Sequence, residues 1–407
     1  MTSGSHKILV IMLGMLAAIG PLSIDMYLPA LPTIQAQLQV TAADVQLTLS
    51  SFLIGFALGQ LIYGPLSDRF GRKPVLLSGV ILFAITSLLC AVSPNIEMLI
   101  IVRFFHAFGG GAGIVLARAI VRDYFPARET ARLISLMAII TLSGPLVSPI
   151  VGGHLLVWAG WRSIFWLLTI LGVIYILIVT FAIEESHAKE NRHQLNIVTT
   201  FRAYFQILCN KQGFGYIACA AAGTGTLFVY LLSSPFVIIE IFKVKPDNFG
   251  YMHGIVVSGL IIAALMNSRM VMRYGLDRMI IGGLAVRLVG AALLLALAVL
   301  KVGGLPGFIF AVFICAAPNA LIFANVSAAL TDVFPKLIGT SSSVLGAGMI
   351  ATGAAMGPLL GGMHDGTIMP MAILTFVFSW ISAGVYWFVI KVPGRQVSRE
   401  HTTHLKA

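Results

Sequence analysis

Apolar residues in this chain are gathered in blocks. They do not alternate with polar ones at a strand or helix period. Twelve mostly apolar stretches follow one another between residues 8 and 391, separated by short connectors rich in Gly, Pro and charge. Roughly 20 apolar residues is the length a helix needs to cross a bilayer. The blocks predict helices near 8–31, 45–66, 75–93, 97–121, 131–156, 162–183, 214–239, 248–270, 279–300, 305–331, 339–362 and 369–391. One long polar interruption, 184–212, opens with EESHAKENRHQ at Glu184 and parts six blocks from six. The expected organisation is therefore a six-helix bundle over 1–183, a linker over 184–212 with a short amphipathic stretch, a second bundle over 213–391, and a tail over 392–407. The fold class is an all-α membrane protein with twelve transmembrane helices in two six-helix bundles.

Composition agrees with this pattern. Of 407 residues, 58% are hydrophobic and 10% charged, with mean hydropathy +0.96, whereas about a quarter of a soluble protein is charged. A net charge of +11 would suggest nucleic acid in a soluble chain. Here its placement gives a better account. With the amino terminus in the cytoplasm, about nineteen Lys and Arg fall in cytoplasmic loops and tails, among them Arg69, Arg72, Lys73, Arg122, Arg128 and Arg132. About four (Arg162, Lys243, Lys245 and Lys301) fall outside. That is the positive-inside asymmetry, and it predicts that both termini are cytoplasmic. The basic residues would orient the chain and meet anionic membrane lipid; no nucleic-acid partner is implied. Cys90, Cys209, Cys219 and Cys315 lie far apart without metal-ligand spacing and read as small core residues. No metal site is expected. The first apolar run is too long for the core of a cleavable leader.

The two halves echo each other. DYFP at 123–126 recurs as DVFP at 332–335, GPLVSPIVGG from Gly144 returns shortened as GPLLGG at 357–362, and Arg69-Phe70-Gly71 is matched by Arg273-Tyr274-Gly275. The offsets are 209, 213 and 204 residues, close enough to argue for duplication. Six-helix halves related by an axis along the membrane normal are an arrangement of secondary transporters, which bind near the midplane and rock between two faces.

Candidate chemistry stands out because charge is costly in hydrocarbon. Asp25, in SIDMYLP (23–29), sits inside the first apolar block, and Arg103, in LIIVRFFHAFGGGAG (99–113), inside the fourth. An isolated charge there costs about 2.5–3.5 kcal/mol on insertion scales. Each lies about six residues from the outer end of its predicted helix, or roughly 9–10 Å deep. This predicts a fixed or switchable charge pair, with a purely structural salt bridge as the alternative. The loop GPLSDRFGRKP (64–74) offers a second element: Gly64 and Gly71 permit a tight turn, and Asp68, Arg69 and Arg72 can latch to a helix end or a neighbouring charge. A third is TLSGPLVSPIVGG (141–153): Pro145 and Pro149 bend the helix, while Gly144, Gly152 and Gly153 allow close approach.

These strings carry a family resemblance. The 64–74 loop, the repeats and the twelve blocks resemble the major facilitator superfamily, and the proline-glycine string resembles the motif of its exporters, with Ser148 where many have glycine. SIDMYLPALP (23–32), RFFHAFGGGAG, NFGYMHG (248–254) and GTSSSVLGAG (339–348) narrow the likeness to the Bcr/CflA branch of drug:proton antiporters. The resemblance implies a multi-pass protein of the bacterial inner membrane that exports compounds of the bicyclomycin, chloramphenicol or sulfonamide class. It implies protons as coupling ion, no other cofactor, no catalytic residue, and a monomer as the default state. It also implies proton coupling through Asp25 and Arg103. Some relatives carry a second acid two turns earlier in the first span; Ala17 stands there in this chain. Cavity candidates on spans that line the pore in this superfamily are Tyr27, Phe56, Gln60, Tyr63, Phe228, Tyr230 and Phe236, with His106, Asn319 and Asn325 as polar contacts. For each, ordinary helix packing is the competing explanation. Arg287 has no evident partner.

On this reading Asp25 takes a proton from the outer side, the halves close over the neutral acid, and drug binding from within favours release. One charge crossing 100 mV is worth about 2.3 kcal/mol, or roughly a 50-fold gradient of a neutral drug. The rival readings are a metabolite exporter or an uptake symporter of the same fold. HExxH, GxSxG and phosphate-loop strings are absent, so an enzyme or ATP-driven pump is disfavoured.

Overall fold

A computed structural model describes residues 3–186, 197–335 and 337–392. Among these, twelve helices are long and apolar enough to cross a membrane, here numbered spans one to twelve. They are Leu9–Leu38, Ala42–Phe70, Arg72–Ala91, Ile96–Tyr124, Leu136–Ala159, Arg162–Ala182, Lys211–Ile241, Pro246–Tyr274, Leu276–Leu300, Gly304–Val333, Ile338–Met363 and Met369–Lys391. Residues 187–196 of the expected linker lie outside the described residues. The amphipathic stretch after them is a helix, Ile197–Cys209, with Ile207 buried and Phe205 exposed.

Span boundaries have local causes. Span two starts with a reciprocal cap, in which the Asp44 N–H donates to Thr41 Oγ1 (3.2 Å) and the Thr41 N–H donates to Asp44 Oδ2 (2.9 Å). Asn95 Oδ1 accepts the Met98 N–H (3.0 Å) at the start of span four. Spans two and eight both stop at a glycine in the left-handed region, Gly71 (φ 101°) and Gly275 (φ 78°). These are the equivalent glycines of the repeated Arg-Phe/Tyr-Gly string, so the duplication is visible in the backbone. The 64–74 segment is thus two helices joined at a single residue, not a loop. Gly71 makes the turn, whereas a Cβ at Gly64 would meet nothing within 4 Å.

Three spans are interrupted at proline. Span one is helical to Asp25, tightens into a short 3-10 turn at Leu28–Ala30, and resumes over Leu31–Leu38. Pro29 has no N–H to continue the ladder, and the Tyr27 N–H donates instead to Ile24 O, three residues back (3.1 Å). Span seven widens into a π-helical turn at Phe236–Ile241 after Pro235. Span ten breaks between Gly304–Ala316 and Pro318–Val333.

The chain forms two compact units. Unit one holds Met1–Leu195, Leu231–Gly254 and Ala354–Gly366; unit two holds Asn196–Tyr230, Ile255–Gly353 and Thr367–Ala407. In unit one, span two packs on span four, span four on span three, span three on span six, and span one on spans four and five. The ends of spans seven, eight and eleven belong to the same unit. They approach spans two and five backbone to backbone. A Cβ on Gly250 of span eight would stand 2.5 Å from the Ile150 nitrogen of span five, and one on Gly153 would stand 2.5 Å from Pro246 O. Gln46 Nε2 of span two donates to Leu232 O (3.5 Å). In unit two, Leu284, Ile322, Val326, Leu345 and Tyr386 share a core with Ile207. Span nine is anchored at its start by Asp277, which accepts from Tyr386 Oη (2.6 Å) and pairs with Lys391.

Candidate functional site: a buried acid and an arginine in unit one

The break in span one sets the site. Asp25 is the last residue of the first helical segment and is 5% exposed. Span one continues to Leu38, so the acid lies thirteen residues from the carboxyl end of its span, about 20 Å along the helix, where the sequence places it six residues from that end. The expected block ends at Leu31, bounded by Pro32, yet the helix continues through Pro32, Thr33 and Gln35 to Leu38.

Span five fits against this break. A Cβ on Gly152 would stand 2.1 Å from the Met26 carbonyl oxygen, so only glycine allows the two backbones to meet beside Asp25. Ser148, buried at 1%, donates its hydroxyl to Gly144 O (2.6 Å), a back-bond of the kind that bends helices. It lies between Pro145 and Pro149, which both fall inside the helix. A Cβ on Gly144 would meet only Leu22 of span one, at 3.8 Å.

Arg103 is completely buried. Its Nη1 donates to Ser23 O (3.4 Å) and to His106 Nδ1 (3.2 Å). Its guanidinium carbon lies 4.2 Å from the Phe52 ring centre, 4.5 Å from that of Tyr27 and 5.8 Å from that of Phe165. All three are within cation–π range. Nε and Nη2 have no hydrogen-bond partner among the described residues. The expected ion pair is not formed: Arg103 reaches span one at Ser23 O, two residues before Asp25, and no salt bridge joins it to the acid. Aromatic faces hold the cation instead, a signal that spacing alone could not give because the rings come from spans one, two and six.

The hydrogen-bond chain fixes the His106 tautomer. Arginine can only donate, so Nδ1 is the acceptor and Nε2 carries the hydrogen. Nε2 then donates to Ser87 Oγ (2.9 Å), whose own hydrogen goes to Phe83 O (2.7 Å). His106 is fully buried and stacked on Phe83 at 4.6 Å. It supports Arg103 from behind and presents no surface to a pore.

The other cavity candidates divide between the units. In unit one, Tyr27 is fully buried and donates to Thr48 Oγ1 (2.9 Å), since Thr48 gives its hydrogen to Val45 O. Phe56 fills the space beside Gly20, Gln60 is half-buried, Tyr63 packs on Phe108 (5.2 Å), and Phe236 meets His364 (5.8 Å). In unit two, Phe228 packs against Gly353, and Tyr230 lines a small cavity of about 10 Å³ with Thr226, Cys315 and Thr375. Asn319 accepts from Arg287 Nη1 (3.3 Å) and caps Ala316 O at the break in span ten (3.1 Å). Asn325 donates to Asn267 Oδ1 of span eight (2.7 Å). Arg287, fully buried, has its partners in Asn319 and Ser382 Oγ (2.5 Å).

The latch residues form a network within unit one. Arg72 Nη1 donates to Asp68 Oδ1 (2.5 Å) and Ser67 Oγ (2.6 Å), and Nε donates to Asp123 Oδ2 (3.0 Å). The Arg72 N–H reaches Glu185 Oε1 (2.9 Å), and Ser186 Oγ donates to Asp123 (3.0 Å). Arg69 lies over Phe70 (5.1 Å). Asp123, Ser67 and Glu185 were missed in the sequence, although Asp123 opens the repeated DYFP string. Among the described residues no group of three His, Cys, Asp or Glu could hold a metal ion, and the cysteines are unpaired.

Comparison with known proteins accords with this architecture. The family profile described as Major Facilitator Superfamily matches residues 13–245. The chain is 34% identical to a protein named bicyclomycin resistance protein homolog from Haemophilus influenzae, over 95% of this chain and 96% of that one. It is 29% identical to a chloramphenicol resistance protein from Pseudomonas aeruginosa, over 96% and 93%. A crystal structure titled D-xylose-proton symporter superposes with TM-score 0.75 at 17% identity, covering 95% of this chain and 97% of that one, which is evidence of shared fold. A twelve-span helical chain matched in this way belongs to the Major Facilitator Superfamily, and is a membrane transporter.

Proposed function

We propose that this protein is a proton-coupled multidrug antiporter of the bacterial inner membrane, with both termini in the cytoplasm. It exports small compounds of the bicyclomycin, chloramphenicol or sulfonamide class. The names of the two resistance relatives support the substrate class. The carrying observation is Asp25: a buried acid with no ion pair, at a helix break, where Gly152 brings in the backbone of span five.

That placement suits a proton carrier. A buried carboxylate without a counter-charge is costly in low dielectric, so closure is compatible with the neutral acid and opposed by the charged one. Arg103 bonds to span one at Ser23 O, two residues before the acid, and keeps two nitrogens unpartnered, so a shift of span one would let it meet the carboxylate once the proton leaves. Exchange of Arg103 between aromatic faces and carboxylate would be the switch. Backbone contacts at Gly153 and Gly250 close the side that this topology makes periplasmic. The cytoplasmic segments are tied by Arg72. The divisions at 184–212 and 213–391 serve as linker and second bundle.

A susceptibility panel in an efflux-deficient host tests the reading. The intact protein lowers cellular drug and raises resistance, and a protonophore abolishes both. Rising intracellular solute on energisation would identify an uptake symporter instead.

A further inference from the structure

Unit two carries a groove of about 430 Å³ between spans eight, nine and ten that the transport mechanism does not use. Span eight lines it from Gly259 to Tyr274 through Ile262, Met266 and Met270, span nine adds Gly282 and Val286, and span ten closes the floor with Phe313 and Leu321. The wall on span eight rises through fifteen residue steps, about 22 Å, against about 15 Å for one leaflet of the hydrocarbon core. The groove therefore runs the depth of a leaflet. Its lining is apolar and rich in methionine, a side chain that adapts to irregular chains.

One end differs. Arg278 lines the groove beside Tyr274, next to the Gly275 turn, where it is exposed and forms no ion pair among the described residues. Arg273 likewise forms no ion pair among the described residues and lies over the Tyr274 ring (5.5 Å). A cationic mouth on an apolar slot is complementary to an amphiphile with an anionic head.

We propose that this groove seats an acyl chain of an anionic phospholipid, with its phosphate held by Arg278. With the topology proposed above, that lipid comes from the inner leaflet. Gly282 supplies a clean way to block the slot, because a Cβ there meets nothing within 4 Å. A larger side chain would extend into the groove without disturbing helix contacts.

The test uses the full-length protein, equilibrated with equal amounts of dioleoylphosphatidylglycerol and dioleoylphosphatidylcholine, with retained lipid counted by native mass spectrometry. The intact protein should retain the anionic lipid about fivefold over the zwitterionic one. Arg278→Gln should remove that preference. Gly282→Leu should reduce retention of both lipids at unchanged Tm; where Tm falls, Val286→Trp replaces it, since Val286 lines the same slot and is 47% exposed. Equal retention of the two lipids by the intact protein, a preference that survives Arg278→Gln, or full retention in the filled variants would each overturn the proposal. So would displacement of lipid by chloramphenicol, which would make the groove a drug path. None of these variants touches Asp25 or Arg103, so failure here leaves the transport reading to its own test.

Discussion

Gly250→Ala probes how one side of the transporter closes. The glycine lies in NFGYMHG at the start of span eight, and its missing side chain is what lets this helix meet span five. A Cβ there would stand 2.5 Å from the Ile150 nitrogen and 2.6 Å from its Cα. Both obstacles are helix backbone, which cannot rotate aside, so span eight must retreat by about 1 Å to reach ordinary contact. Overpacking of this size costs about 1–3 kcal/mol. The gain of about 1 kcal/mol in helix propensity for alanine is common to every conformation and cancels. The closed state alone bears the clash, so its population relative to the open state should fall about 5- to 150-fold. Spin labels at exposed Ala36 and Gly362, in a background with the four cysteines replaced, would read the shift by electron–electron resonance. The distance distribution should move to longer values, and drug export should slow. An unchanged distribution, or a more populated short distance, would refute the argument.

Three further outcomes follow from the same geometry. His106→Asn keeps an acceptor near Nδ1 and should retain export, while His106→Leu leaves a further buried Arg103 N–H unmet. That loss costs about 1–3 kcal/mol and should cut export severely; equal activity of the two variants would contradict the tautomer assignment. Arg72→Ala leaves the Asp123 carboxylate with the Ser186 hydroxyl but no cation and should lower stability by about 2–4 kcal/mol in detergent unfolding, whereas Asp68→Asn should cost little because the Asp68 side chain is 50% exposed. A larger effect from Asp68 would reverse that ranking. Gly71→Ala forces a side chain to φ 101° and should cost about 1–2 kcal/mol, while Gly64→Ala, in open space, should be neutral or slightly stabilising; matching unfolding curves would remove the distinction.

Block length, charge asymmetry and internal echo made the twelve spans legible, because membrane insertion is decided by local composition. The repeat even located Gly71 and Gly275, whose positive φ ends two helices. Depth was less legible. Pro32 bounded the expected block, but the chain makes one tight turn and goes on to Leu38, so the distance from Asp25 to the end of its span was underestimated. The Asp25–Arg103 pair was inferred from two costly charges on the assumption that each needs the other. Arg103 found an alternative in three rings from other spans, beside a histidine one turn along its own, and no single helix pattern encodes those rings. Gly152 was visible as a motif residue, but its role beside Met26 depends on the approach of two spans. The cavity aromatics illustrate the opposite limit, since Tyr27 and Tyr63 had equal claims as packing residues and both are buried.

Proton release on drug addition tests the central claim most directly. Purified protein in weakly buffered detergent, with a pH indicator, should release protons when chloramphenicol or another exported drug is added. Asp25→Asn should bind the drug and release none. Continued release from the Asp25→Asn variant, at the amplitude of the intact protein, would show that another group carries the proton.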